Sequence, residues 1–580
     1  IERIEELKGP ASILFGSVQP GGSINLVTEQ PLSEPSYEID VRGGNRNLYE
    51  GSIDLSGPLS EDGKLLYRLN ALYRTEDYHR DFDTPVECFF IAPVISWAID
   101  EHTDLNFSVE YDDSRRPADF GGVPAIGDRI ADVPFTRITG DPGDEATNET
   151  LRIGYDFEHR FSDNWKVRNT FSYHRFDPIF TSNIAATPGV FGIPLELPPG
   201  QFLRSYIKVR QLSQTTALQT NVVGEFSTGS IEHTLLAGVD LSWRRFEQSG
   251  LNSTVVEGLT GPPVFDIFIP VYVVVAPPAS FNGPLTPSND GYEELYGIYV
   301  QDQIQLAKNL HLLAGLRYDI SADESSPNLA NPPIFRRDTA FSPRLGMVYQ
   351  PIEPLSLYAS YSRSFVPNGG TTVTGEFLEP ERGVQFEIGA RAELFEGRMV
   401  TNLALFDITK QNVATSDPNN LPPAQIAIGE QRSRGIELDV IGEILPGWDI
   451  VANYAYTDAT ITESNDTVNP EGNRLFGVPE HNTNLWTTYE IQEGDLAGLG
   501  FGLGVNYVSV RFGDIANSDV LEDYFLTNAA IFYERNDWNF ALNIRNLFDV
   551  DFIDSSEGTR DIENRPGEGF TIIGSVSVSF

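Results

Sequence analysis

Apolar and polar residues alternate with a period of two in run after run from residue 37 to the end of the chain. Leu65, Tyr67, Leu69, Ala71 and Tyr73 share one face, with Arg68, Asn70 and Arg74 on the other. Val384, Phe386, Ile388, Ala390, Ala392 and Leu394 alternate with Gln385, Glu387, Gly389, Arg391 and Glu393. Trp448, Ile450, Ala452, Tyr454 and Tyr456 form a third row, and Trp538, Phe540, Leu542 and Ile544 a fourth. Side chains of a strand point alternately to its two faces, so each row predicts a strand with one apolar and one polar side. A soluble sandwich also alternates, but it does not usually keep charged and amide residues on one face over most of a long chain.

The connections alternate too. Short polar turns fall at 60–63, 162–164, 307–309, 396–398 and 535–537, and long segments rich in Pro, Gly and Asp at 113–148, 178–200, 250–290, 322–338, 411–428 and 546–568. Short turns at one end and long loops at the other are the pattern of an outer-membrane barrel, and the pairing predicts about 22 strands, each needing about 10 residues to cross. The predicted fold is all-β, a 22-stranded antiparallel transmembrane β-barrel. No run of eighteen apolar residues exists, so no membrane helix is expected. The tract at 264–278 is too short, carries Asp266 and is broken by Pro270.

Composition narrows the function. The chain is rich in aromatic residues (11%) and glycine (51 residues) and has a single cysteine, Cys88, which excludes an internal disulfide and a cysteine-built metal site. The formal charge of −43 makes nucleic acid a poor partner, because phosphate contacts need a basic face. Two readings of that charge stand side by side: a solvated acidic loop surface, or an anionic mouth that disfavours polyanionic ligands. Seven scattered histidines show no metal-ligand spacing, and no nucleophile, Walker or dinucleotide motif appears, so neither a catalytic residue nor a metal site nor a resident cofactor is expected.

The first 31 residues, IERIEELKGPASILFGSVQPGGSINLVTEQP, read as three short strands with turns at 8–10 and 19–22 and with 13–15 as the middle strand. This stretch resembles the last part of the plug domain in TonB-dependent outer-membrane receptors, the siderophore branch in particular. Further blocks resemble the same family: DLSGPL at 54–59, SPRLGMVYQPIEPLSLYASYSRSFVP at 342–367, EPERGVQFEIGARAELFEGRMVTNLALFDITKQN at 379–412, RSRGIELDVIGEILPGWDIVANYAYT at 432–457, GVPEHNTNLWTTY at 477–489 and NIRNLFD at 543–549. The resemblance implies a partial N-terminal plug inside the lumen, with residues 1–35 as its C-terminal part and residues 36–580 as the barrel. It implies import of a ferric siderophore, energy relayed by TonB, and residence as a monomer in the lipid of a Gram-negative outer membrane. The family's TonB box and earlier plug are not among these residues, and no signal peptide stands at residue 1, so truncation or processing is expected. Haem, cobalamin or an oligosaccharide as cargo, and a passive porin or adhesin barrel, are the alternatives.

The resemblance also implies site residues. Basic plug residues of relatives pair with two barrel glutamates; the matching positions are Lys8, Glu387 and Glu437, the last two placed on the lumen face by the alternation. Two solvated carboxylates in a polar lumen is the other reading. Aromatics near the mouth suit a bulky chelate: Phe120, Phe135, Phe365 and Phe552, with Phe268 and Tyr272 in the apolar tract at 265–272. They serve equally as loop packing or as part of an interfacial girdle. The chain ends on Phe580, with Val578 and Val576 on the same face, which resembles the signal read by the barrel-assembly machinery.

Overall fold

The computed structural model describes residues 1–127, 129–186, 197–252, 264–272, 285–326, 333–374, 376–416, 425–465, 470–556 and 564–580. Its dominant feature is a closed antiparallel barrel of 22 strands. Each strand pairs with its successor around the ring, and β3 (Ser36–Gly44) closes the circle on the last strand, Thr571–Ser579. The closing register runs from Glu38 opposite Ser579 to Gly44 opposite Ile573. At its end the Tyr37 and Phe580 amides donate to each other's carbonyls at 3.0 and 2.9 Å. Closure leaves no open edge, which a backbone in hydrocarbon requires.

The alternation appears in the wall as expected. On the strand Glu381–Leu394, Phe386 and Ile388 are 61% and 56% exposed on the outer face, whereas Gln385, on the lumen face, is 4% exposed. Trp538, Phe540 and Leu542 also stand exposed on the outside. The lumen face is laced with polar contacts: Asn484 donates to Asn453 at 2.9 Å and Asn528 to Asn506 at 2.8 Å, and Asn506 bonds Asn484.

The long segments differ from expectation. Several of the predicted loops are continuations of strands: Gln201–Thr228 has 28 residues, and Trp165–Ala186, Ile231–Asn252 and Thr286–Ala307 have 22 each. A crossing takes about 10 residues, so these ladders rise well beyond the membrane. Out there both faces are wet and the period-two signal fades, while the cross-strand hydrogen bonds persist. Parts of predicted loops 178–200, 250–290, 322–338, 411–428 and 546–568 lie outside the described residues.

Inside the lumen lies the N-terminal segment. A hairpin pairs β1 (Arg3–Lys8) with β2 (Gly22–Val27), Lys8 opposite Gly22. Between them, residues 13–15 are not the middle strand expected from their apolar run. They belong to one helical turn, α1 (Ser12–Phe15), closed by the Gly16 amide on the Ser12 carbonyl at 2.8 Å. The turn directs consecutive residues Ala11, Ser12 and Ile13 into the wall, all buried; a strand would send neighbours to opposite sides. Gly9 (φ +78°) and Gly16 (φ +72°) adopt left-handed backbone. At Gly9 any side chain would run into Gln385, so the segment sits tight against the barrel there.

Candidate functional site

Two places where the lumen segment and the loops meet the wall carry the functional geometry. The first is the seat of the N-terminal segment. Lys8 Nζ lies 2.9 Å from Glu437 Oε2 and 3.2 Å from Asp439 Oδ2. Glu387 shares a cavity of about 320 Å³ with Lys8 and Glu437, but it makes no ion pair with Lys8. Its carboxylate takes a hydrogen bond from Gln385 Nε2 at 2.6 Å, and the barrel's own Arg344 is close enough to feel its charge. The structure thus brings Lys8 and Glu437 together, sets Glu387 beside them, and adds Asp439. The period of two carries the signal for Asp439, which shares the lumen face with Glu437 two residues earlier. Next to this wet contact is a dry one: Ile13 packs on the strand Leu310–Ser326 at Gly315, and the Phe365 amide donates to Ser12 Oγ at 3.3 Å. Beneath Gly16 lies buried Arg317, which bonds Asp319 at 2.8 Å and also pairs with Asp240.

The second place is the end with long connections. Residues 118–144 fold over the barrel mouth and are fixed by buried arginines. Arg80 holds Asp119 at 2.6 Å and the Gly121 carbonyl at 2.6 Å, and Arg204 holds Asp141 at 2.8 Å. Asp144 Oδ2 accepts from the Asp141 and Asn183 amides and from Ser182 Oγ, at 2.9–3.0 Å. Burial pushes this carboxyl up to about 7 against the pull of those donors. An apolar core of Val123, Ala131, Val133, Ala185, Phe202, Phe265 and Ile267 lies under this canopy. Across the mouth the Val123 amide reaches the Asn564 carbonyl at 2.7 Å, and Arg565 Nη1 reaches the Asp119 carbonyl at 3.1 Å.

Below that bridge is a cavity of about 940 Å³ between the canopy and the barrel wall. Tyr78, Trp486 and Phe552 give it aromatic surface, and Arg42, Arg74, Arg545 and Arg565 give it cations. The cross-strand register sets Arg42 opposite Glu50 and Glu50 opposite Arg74, with ion pairs of 3.2 and 3.7 Å around the buried carboxylate.

Of the aromatics expected at the mouth, Phe552 lines this cavity, with its ring 4.6 Å from that of Tyr524. The others do not line it. Phe120 packs edge-on to Phe180, Phe135 joins the canopy core, and Tyr272 donates to the Ile138 carbonyl at 3.0 Å. Phe268 stands 45% exposed at the tip of the 264–272 segment. Phe365 stands at the outer end of its strand, Leu355–Val366, as expected, but at 2% exposed it is buried beneath the lumen segment, where its amide meets Ser12. The cavity's arginines were not singled out from sequence, since nothing in their local pattern separates them from other lumen-facing charges. At the opposite end of the barrel, Phe580 lies exposed against Tyr37 with ring centroids 5.8 Å apart, and Val576 faces outward.

A closed barrel of 22 strands with a segment seated in its lumen and a canopy over one mouth has the architecture of an outer-membrane receptor-transporter rather than of a sandwich. Residues 96–547 match the family described as TonB dependent receptor-like, beta-barrel, and the chain belongs to that family, placing it in a Gram-negative outer membrane. It is 31% identical to the metal-pseudopaline receptor of Pseudomonas aeruginosa, over all of this chain and 80% of that protein. It is 30% identical to the ferrichrome outer membrane transporter/phage receptor of Escherichia coli, over 96% of this chain and 76% of that protein. The solved siderophore receptor PiuA of Acinetobacter baumannii superposes with a TM-score of 0.88, at 22% identity, over all of this chain and 86% of that one, a likeness of fold.

Proposed function

We propose that this chain imports a metal chelate of the ferric-siderophore type across the outer membrane, driven through TonB. The observation that carries the reading is a cavity with aromatic and charged walls, roofed by the canopy, in a barrel whose lumen holds a seated segment. Relatives named for metal-pseudopaline, ferrichrome and ferrioxamine support that cargo class over haem, cobalamin or an oligosaccharide. A passive porin has no use for a segment fixed in its lumen.

In this reading residues 1–35 are the end of the plug and 36–580 the barrel. Lys8 with Glu437, and Glu387 beside them, hold the plug against the wall until TonB pulls on it. Iron arrives already chelated, so the protein needs no cofactor of its own. Phe580, Val578 and Val576 mark the last strand for the barrel-assembly machinery, and the receptor works as a monomer in outer-membrane lipid.

The test is growth of an iron-starved receptor-deletion strain expressing the full-length protein, supplied with purified ferric hydroxamate, carboxylate and catecholate chelates. Rescue by at least one class, abolished when TonB is deleted, is expected. Absence of rescue by all three sinks the siderophore reading.

A further inference from the structure

We infer that the large cavity selects an uncharged chelate with flat, carbonyl-bearing groups, and that Trp486 and Asn528 make the selection; this rests on the siderophore reading above. The charges in the wall are matched among themselves. Arg42 and Arg74 are engaged by Asp40, Glu50 and Glu76. Asp119 is held by Arg80 and Glu568 by Arg46, and Arg545 shares the wall with Asp554. What the wall offers a ligand beyond these pairs is neutral.

The neutral part is an aromatic platform with a hydrogen-bonding edge. The strand Leu499–Val508 carries Gly500, Gly502 and Gly504 at alternate positions on its lumen face. A Cβ at Gly502 would lie 2.6 Å from Trp486 Cζ2, and one at Gly504 would lie 2.5 Å from Trp486 Cε3. The indole of Trp486 therefore lies flat across bare backbone, the close approach that glycine in a strand interior permits. It is half-buried, with its other face left to the cavity it lines. The register sets Trp486 opposite Gly504 and Gly504 opposite Asn528, so the Asn528 amide stands beside the ring. That amide cannot turn round. Its Oδ1 accepts from the Asn546 backbone amide at 2.9 Å, a group that only donates, so Nδ2 faces the other way and donates to Asn506 Oδ1 at 2.8 Å. Asn506 donates in turn to Asn484. The second Nδ2 proton of Asn528 remains for a ligand in the cavity. A flat group laid on the indole, with an acceptor oxygen at its rim, fills both requirements, as an amide or hydroxamate does. An anionic chelate gains nothing from pairs already matched to offset the loss of its hydration.

The experiment is equilibrium binding to the purified full-length receptor. The probes are an uncharged ferric tris-hydroxamate, a ferric citrate-type carboxylate chelate and a ferric tris-catecholate, each with wild type, Trp486→Leu, Trp486→Phe and Asn528→Asp. Leucine still covers the bare glycines, and heat-resistant migration checks that the barrel is intact in every variant. The expected result is tightest binding of the hydroxamate chelate, weakened about tenfold by Trp486→Leu and restored to within about threefold of wild type by Trp486→Phe. Asn528→Asp keeps the bond from Asn546 and loses the spare N–H, and should also weaken the hydroxamate chelate about tenfold. Tighter binding of the carboxylate or catecholate chelate, or effects of Trp486→Leu and Asn528→Asp that are absent or equal across the three probes, overturns the inference and leaves the siderophore reading standing. Binding of none of the three overturns both.

Discussion

The molecule sets a cation against carboxylates across each of its two seams, and the pairs that cross are buried in only one. In the canopy, Arg80 and Arg204 are all but sealed from solvent, at 1% and 3% of side-chain exposure, and their carboxylate partners are nearly so. At the seat of the plug segment, Lys8 is 38% exposed, with Glu437 and Asp439 at 25% and 39%. A buried pair contributes little net stability but is very costly to break, because the survivor is left charged in a dry place. A half-exposed pair is cheap to make and cheap to break. The canopy pairs therefore resist separation, whereas the Lys8 contact is cheap to break, as the proposed release of the plug requires.

Three substitutions probe that contrast, in order of expected effect. Arg204→Ala should cost the canopy about 3–5 kcal/mol, the penalty for stranding Asp141 in the interior. Limited proteolysis within 118–144 should rise sharply while the barrel keeps its heat-resistant migration. If Arg204→Ala leaves proteolysis unchanged, the canopy pairs are ornamental and the contrast fails.

The second effect is of intermediate size and depends on pH. Asp144 stands beside Asp141, the partner of Arg204, with its carboxyl pushed up to about 7 by burial. A carboxyl raised in the folded state contributes stability that is present in full below its unfolded value of about 3.9, and that is lost as pH rises through about 7. The canopy should accordingly be most resistant to protease near pH 4–5, less so at pH 6, and constant above pH 8. Asp144→Asn should flatten the profile; a profile that keeps its slope in this variant assigns the titration to another group.

The smallest effect belongs to the plug seat. Lys8→Gln should change stability by about 0–1 kcal/mol, yet raise hydrogen exchange of β1 in 0.15 M salt, with the difference from wild type shrinking at 0.5 M. A loss comparable to that of Arg204→Ala would erase the distinction between the seams.

What the sequence makes legible follows from the same physics. The wall is readable because lipid on one side and water on the other force residues such as Phe386 and Gln385 into strict alternation. Glu387 and Glu437 inherit their lumen placement from that rule, and so does Asp439 once the rule is carried two residues further. Beyond the membrane the rule lapses. The strand Gln201–Thr228 continues through residues with no periodic signal, and the canopy core assembles Val123, Phe202 and Ile267 from segments far apart in the chain. The turn at Ser12–Phe15 was hidden for a related reason, since three apolar residues in a row suit a buried strand and a buried helical turn equally. Arg545 and Arg42 become a site only when the ring is closed and their strands are brought near each other.

That closure also fixes an order of events in time. Glu38 and Ser579, in contact at the seam, are 541 residues apart along the chain. The free edge of β3 has no partner until the strand Thr571–Ser579 has been synthesised, so the ring stays open while everything between them is made. For all of that interval the chain carries an unpaired edge able to join the wrong neighbour. A receptor closed this way depends on being kept unfolded until its final strand is made.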